Sequence, residues 1–353
     1  MAKRPNRTTI NDVALAAGVS MSTVSNAING KTTAMAEETL ARIQQAMREL
    51  DYRPSSVARG LATQRTATLG LVLTEIETPL FLQAVTPIER EARQAGYSLL
   101  LVNARNEADE REAVQLLQEK QVDGLVVIST SDPRQNDHLG KVQSDGIPVA
   151  LINRAGFSPE FDQVNWDNSA GVAAIVEHLA GLGHRRIAVL VGPVNRRSTQ
   201  ERLQGYQAGL EKCALPFDND LVYPGDYTAT PKDWKQSVLD LLALTNPPTA
   251  IIASDDIVAA VIVRTLQESG RRVPSDVAVA GIDDQPFSQY LGLTTVQLPV
   301  AEAGRQAIQL LLQRIANPTA KAQHILLPCP LVVRDTCGGK GRLHERSTNN
   351  ARG

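Results

Sequence analysis

Over the first fifty residues the apolar positions recur at helical spacing; from Thr68 the pattern becomes strand-like runs alternating with helical ones. Val13, Ala14, Ala17, Val19, Val24 and Ile28 fall where two short helices would pack against each other. Thr9 and Asp12 have capping-box spacing, which starts the first helix at Ile10. Gly18 supplies the freedom a tight turn needs, and Ser20 can cap the second helix. Met21, Ser22, Ser25, Asn26 and Asn29 are left facing outward on a helix with little charge. A third helix is expected from about Glu37 to Leu50, with Leu40, Ile43, Met47 and Leu50 as its buried stripe and Tyr52 and Pro54 ending it. Residues 55–63 are helical in pattern, but Gly60 weakens them by roughly 1 kcal/mol. So short a helix is largely unfolded alone and can fold when a partner buries it.

Strand-like runs follow at Leu69–Leu73, Ser98–Val102, Gly124–Ile128 and Val149–Ile152, then at Ile187–Val191, Ala250–Ala253, Val277–Ile282 and Thr294–Leu298. Helical stretches lie between them at Gln83–Ala95, Asp109–Lys120, Ser169–Leu182, Arg202–Lys212, Asp256–Ser269 and Ala301–Ile315. Regular alternation with short links predicts parallel sheets covered by helices. Two series predict two doubly wound α/β lobes, whose ligands would sit beyond the carboxyl ends of the strands.

Length and composition agree with this division. At 353 residues the chain is too long for one ordinary core. Its 42% hydrophobic and 21% charged residues are those of a water-soluble globular protein. No apolar run approaches the ~18 residues that span a bilayer, and Lys3 and Arg4 are not followed by the apolar stretch of a secretory signal, so a cytoplasmic protein is expected. Cys213, Cys329 and Cys337 lack metal-ligand spacing and read as reduced thiols. Neither a metal nor a cofactor is expected. No glycine-rich dinucleotide fingerprint, phosphate-binding loop or Gly-x-Ser-x-Gly elbow occurs, and nothing asks for an enzyme.

Charge is uneven. Residues 1–65 hold nine Lys or Arg against five Asp or Glu, a net of +4 within a chain of net −2. A cationic head on an anionic body places a polyanionic partner at the N-terminus. A helix that fits the major groove and carries amide and hydroxyl groups is suited to reading base edges in double-stranded DNA.

The motif Thr9-Ile-x-Asp-Val-Ala-x-x-Ala-Gly-Val-Ser-x-Ser-Thr-Val-Ser, followed by Tyr52-x-Pro-x-x-x-Ala-Arg59-x-Leu61, resembles the LacI/GalR family of bacterial transcriptional repressors. The likeness continues through Gly183-His-Arg-Arg-Ile187, Arg202-Leu-x-Gly-Tyr206, Ser254-Asp-Asp256 and Gly281-Ile-Asp-Asp284, over roughly residues 8–335. It implies a helix-turn-helix head (1–54), a hinge helix (55–65) and a two-lobed core like that of periplasmic sugar-binding proteins (66–337). One lobe would comprise about 66–161 and 288–318, the other about 162–287 and 319–337. The tail 338–353 lacks a leucine heptad, reads as disordered, and gives no basis for a tetramer.

The resemblance also implies a homodimer on a palindromic operator. Met21, Ser22 and Asn26 match positions that read bases, and Thr9, Ser20, Thr23, Ser25, Asn29 and Tyr52 match positions that hold phosphates. Ala58 and Leu61 match hinge positions in the minor groove, with Leu61 as a wedge. Ala62 stands where some relatives have a basic residue, and Ala36 where many have a capping Ser. For a carbohydrate-type effector the resemblance points to Phe81, Asn153, Arg196, Ser198, Arg202, Tyr227, Asp255 and Asp283. Arg196 beside Arg202 leaves room for an acidic or phosphorylated sugar. Repression relieved by a sugar is the expected mechanism; a corepressor-dependent regulator and a solute-binding receptor are the alternatives.

Overall fold

A computed structural model describes residues 8–28, 30, 32–33, 35–52, 65–74, 76, 79–128, 137–154, 159–194, 196–225 and 230–339. The chain divides into two compact units, Met1–Ala67 and Thr68–Gly353.

The first unit contains α1 (Ile10–Ala17), α2 (Met21–Ile28) and α3 (Glu37–Glu49). Val13, Ala14, Ala17, Val24, Ile43 and Ala46 form its core, with Val19, Ile28, Met47, Leu50 and Tyr52 packed at the edge. Gly18 ends α1 in the left-handed conformation (φ 64°), so its backbone N–H can return to the last carbonyls of the helix. The expected stripe of α3 is partly corrected: Ile43 and Ala46 are buried, whereas Leu40, Met47 and Leu50 are half-exposed. The hinge segment, with Ala58 and Leu61, and the tail beyond residue 339 lie outside the described residues.

The second unit holds two six-stranded sheets. The first contains β1 (Thr68–Thr74), β2 (Ser98–Ala104), β3 (Gly124–Ile128), β4 (Val149–Ile152), β5 (Asp162–Trp166) and β11 (His324–Leu327), in the order β11-β5-β4-β3-β1-β2. All of its pairings are parallel. The second contains β6 (Ile187–Val191), β7 (Val222–Pro224), β8 (Ala250–Ile252), β9 (Ala278–Asp283), β10 (Thr294–Gln297) and β12 (Leu331–Val332), in the order β12-β10-β9-β8-β6-β7. Only β12 runs antiparallel to its neighbour.

The helices are α4 (Pro79–Gln94), α5 (Glu107–Glu119), α6 (Asp137–Ser144), α7 (Asn168–Gly181), α8 (Arg197–Lys212), α9 (Pro231–Ala243), α10 (Asp256–Glu268) and α11 (Val300–Ala316). Helix α11 packs on α4 and on β3, β4 and β5. Helices α7 and α8 approach so closely that a Cβ added at Gly205 would lie 2.2 Å from the Ser169 carbonyl oxygen.

Strand pairing moves the expected lobe boundaries. Residues 162–166 form β5 of the first sheet because the Asp162 carboxylate, awkward for a central strand, is taken up by Arg314 at 3.0 Å and by the Gln323 N–H at 2.8 Å. Residues 294–297 pair with β9 in the second sheet, and 324–327 pair with β5 in the first, so both change lobe relative to the expectation. The chain therefore crosses between sheets after β5, β10 and β11. Each of these strands is left at its carboxyl end, so the carboxyl ends of both sheets border the crossing segments. The crossings lie side by side: Asp167 N–H donates to Leu327 O (3.0 Å) and Gln297 N–H to Pro330 O (2.9 Å).

Cys213, Cys329 and Cys337 are free thiols. Among the described residues no helix is long and apolar enough to cross a membrane.

Candidate nucleic-acid interface and ligand cleft

Local hydrogen bonds set the outward face of the first unit. The Asp12 carboxylate accepts from the Thr9 N–H and hydroxyl, both at 2.8 Å, and Thr9 Oγ1 accepts from the Asp12 N–H at 3.4 Å. Those bonds hold the Asp12 carboxyl below the usual carboxylate range. Ser20 Oγ accepts from the Thr23 N–H at 3.1 Å and lies 2.7 Å from Ser22 Oγ and 2.8 Å from Thr23 Oγ1. The expected caps are thus both present. Val24 points inward while Met21, Ser22 and Asn26 are exposed, Met21 at 53%. Ser25 and Thr23 are half-buried, so they border this face rather than lie on it. Tyr52 packs its ring against the core cluster, and Asn29 lies outside the described residues. A short helix thus presents one thioether, one hydroxyl and one amide to solvent, groups that can meet a thymine methyl or a base edge. The hydroxyls at its N-terminus, where the helix dipole is positive, suit a phosphate.

In the second unit, seven of the eight expected ligand residues lie at, or in a helix after, the carboxyl end of a strand. Phe81 is on α4 after β1, Asn153 follows β4, Arg196 immediately precedes α8, Ser198 and Arg202 lie on α8, Asp255 follows β8 and Asp283 ends β9. Tyr227 lies outside the described residues. The parallel topology puts these positions at the carboxyl ends of the strands, the side on which such sheets bind ligands.

Arg202 and Asp283 carry the electrostatics. Arg202 is 7% exposed; its Nη1 donates to the Ser254 carbonyl at 2.6 Å, while its buried Nε has no protein partner. Asp283 is 4% exposed; its Oδ2 accepts from Gln285 Nε2 at 3.3 Å, and its buried Oδ1 has no protein partner. Burial pushes the Asp283 carboxyl well above the ordinary carboxylate range; the Asp255 carboxylate adds to this and the Arg202 charge opposes it. Orphaned buried donors and acceptors are costly unless something else satisfies them, so this pair is open to a hydrogen-bonding ligand.

The remaining positions differ in what they do. Asp255 caps α10, its Oδ1 accepting from the Val258 N–H at 2.8 Å and its Oδ2 from Ser254 Oγ at 3.1 Å. Asn153 has a left-handed backbone (φ 58°), with its N–H bonded to Val164 O at 3.0 Å. Arg196 and Ser198 are half-buried at the start of α8. Phe81 is buried in the core with Leu80, which makes its ring packing material and lends no support to a stacking platform.

Sequence reading missed two polar clusters at the carboxyl ends of the strands. In one, Glu110 (0% exposed) accepts from Arg154 Nη1 and approaches His138 Nε2, both at 2.9 Å. Burial lowers the Arg154 pKa and the Glu110 charge counters it. In the other, Asp256 accepts from Thr295 Oγ1 (2.6 Å), Ser288 Oγ (2.5 Å) and the Gln285 N–H (2.8 Å). Burial raises its carboxyl pKa against the pull of those bonds. The run Ser254-Asp-Asp256 signalled the second cluster; nothing in the spacing of Glu110, His138 and Arg154 signalled the first.

Comparison with known proteins settles the family. Residues 9–55 match the family described as bacterial regulatory proteins, lacI family, and residues 176–337 match the periplasmic binding protein-like domain. The HTH-type transcriptional repressor PurR of Mannheimia succiniciproducens is 33% identical over 329 residues, 92% of this chain and 97% of that protein. The chain belongs to the lacI family of bacterial regulatory proteins. As a family member it is a DNA-binding regulator with a small-molecule effector domain, and the relatives it matches are transcriptional repressors. The lac repressor dimer bound to operator and the anti-inducer ONPF has a similar fold, with a TM-score of 0.83 at 28% identity, covering 94% of this chain and 99% of that one. A transcriptional regulator CelR–cellobiose complex matches with a TM-score of 0.69 at 29% identity, covering 94% of this chain and 100% of that one.

Proposed function

We propose that this chain is a cytoplasmic repressor that binds a palindromic operator as a homodimer and releases it when a sugar or sugar derivative occupies the crevice. The observation that carries the effector half is the orphaned pair, Arg202 Nε and Asp283 Oδ1. A guanidinium N–H and a carboxyl oxygen, both buried, match the vicinal hydroxyls of a carbohydrate. Asp255 and Asp283 stand near the Arg202 charge, a mixed set of acceptors and donors that suits a ligand rich in hydroxyl groups. The CelR complex holds cellobiose, in keeping with this ligand class.

For DNA, Met21, Ser22 and Asn26 read bases, while Thr9, Ser20, Thr23, Ser25, Asn29 and Tyr52 hold phosphates. Ala58 and Leu61 are assigned to the minor groove on the family resemblance. Two copies on one operator follow the lac repressor dimer.

The test selects a duplex site from random sequence with the purified chain, then measures affinity across salt concentrations with and without a sugar panel. A palindrome bound with steep salt dependence, and weakened by one sugar, is expected. Tighter binding with that sugar would make it a corepressor. No salt-sensitive site preference under any condition would overturn the regulator reading.

A further inference from the structure

Two successive residues at the end of β9 adopt backbone conformations that L-residues rarely hold: Asp283 at φ 119° and Asp284 at φ 54°. Such a dipeptide persists only where its surroundings over-determine it. The Asp284 carboxylate accepts from Arg334 Nη2 at 2.6 Å and from Gln297 Nε2 at 3.0 Å, and the Arg334–Asp284 pair is largely out of solvent, with side chains 15% and 11% exposed. The Asp283 carbonyl accepts from the Leu298 N–H at 3.4 Å, and the following residue, Gln285, is tied down through its N–H to Asp256 at 2.8 Å. Gln297 and Leu298 lead out of β10 into the second crossing, and Arg334 follows the third.

We propose that Asp284, gripped by Arg334 and Gln297, is the positioning residue that aims the Asp283 carboxyl into the crevice and ties it to the end of β10, where the second crossing starts, and to the residues beyond β12, into which the third crossing leads. Asp283 touches the ligand; Asp284 acts through it. The grip links an occupant of the crevice to the start of the second crossing and the far side of the third, because one dipeptide carries the ligand-facing carboxyl and these flanking contacts together. This rests on the effector reading only for what occupies the crevice.

The full-length chain serves for both arms of the test. In the first, amide exchange is followed by mass spectrometry, without any ligand, in wild type, Asp284→Gly, Asp284→Asn and Arg334→Met. Glycine keeps the backbone freedom and loses the grip, while asparagine keeps left-handed tolerance and an acceptor for Arg334. Exchange across residues 297–300 should quicken at least ten-fold in the Gly and Met variants, stay near wild type in the Asn variant, and not change in β1. A Gly variant exchanging like wild type, or acceleration spread evenly through both sheets, would overturn the proposal. In the second arm D-ribose, D-galactose and cellobiose are titrated as probes; whichever binds wild type should bind the Gly variant at least ten-fold more weakly and the Asn variant nearly as well. Equal affinity in the Gly variant would again overturn it. If none of the three binds wild type, the sugar reading loses its support, and the exchange arm alone decides on the grip.

Discussion

Single buried charges dominate at the residue scale. Asp283 holds a proton in the folded chain at pH values where the unfolded chain has already released it. Stability therefore falls as pH climbs above the ordinary carboxylate pKa toward the raised one, by up to about 1.4 kcal/mol per pH unit for one group. Burial of Asp256 adds to the same trend. Asp283→Asn mimics the neutral carboxyl, so urea unfolding should show a flatter pH dependence above pH 4 and a more stable variant at neutral pH, at the expense of ligand binding. The Arg154–Glu110 pair behaves differently, because each partner holds the other's charge away from water. Glu110→Leu should cost about 3–5 kcal/mol in urea melts, and pairing it with Arg154→Met should recover most of that loss. An additive double variant would show that the two side chains do not depend on each other.

The helix starts decide matters at the element scale. Ala36 occupies the N-cap of α3 in the extended conformation a cap requires (φ −65°, ψ 138°), yet offers no side-chain acceptor. Ala36→Ser should stabilise the head by about 1 kcal/mol, seen as a higher melting temperature of the first unit. Where caps and apolar period agreed, as at Thr9 and Ser20, the elements were legible from sequence. Helix α8 begins at Arg197, earlier than the expected Arg202, because its first turn, Arg197-Ser-Thr-Gln, has no apolar residue to mark it. Helix α9 went unread although Thr230 and Asp233 form a capping box, with both Thr230 donors on Asp233 Oδ2. Strand β5 was missed for a different reason. Its Asp162, Gln163 and Asn165 are all buried; Arg314 holds Asp162 and the Arg154 N–H donates to Asn165, pairings that no local pattern reveals.

At the scale of the whole molecule, a cationic head and a metabolite-binding core place two kinds of recognition on one chain. Asn26→Ala should relax base preference at one operator position and cost about 1–3 kcal/mol there, while leaving the salt dependence unchanged. Loss of affinity equally across all sequences would move Asn26 to the phosphate class. The exposed side chains of α2 and the buried Arg202 and Asp283 were visible as residue types in order. The positions of the crossings were not, since β11 pairs with β5, His324 opposite Gln163, far back along the chain. Their C-terminal part has a further consequence: β11 closes one edge of the first sheet and β12 one edge of the second. A stop codon near residue 320 would remove the border strand of both sheets at once and bare two rows of unpaired amides, a template for aggregation. Shortened gene products of this kind should accumulate in inclusion bodies, although every residue expected to touch DNA or effector would still be translated.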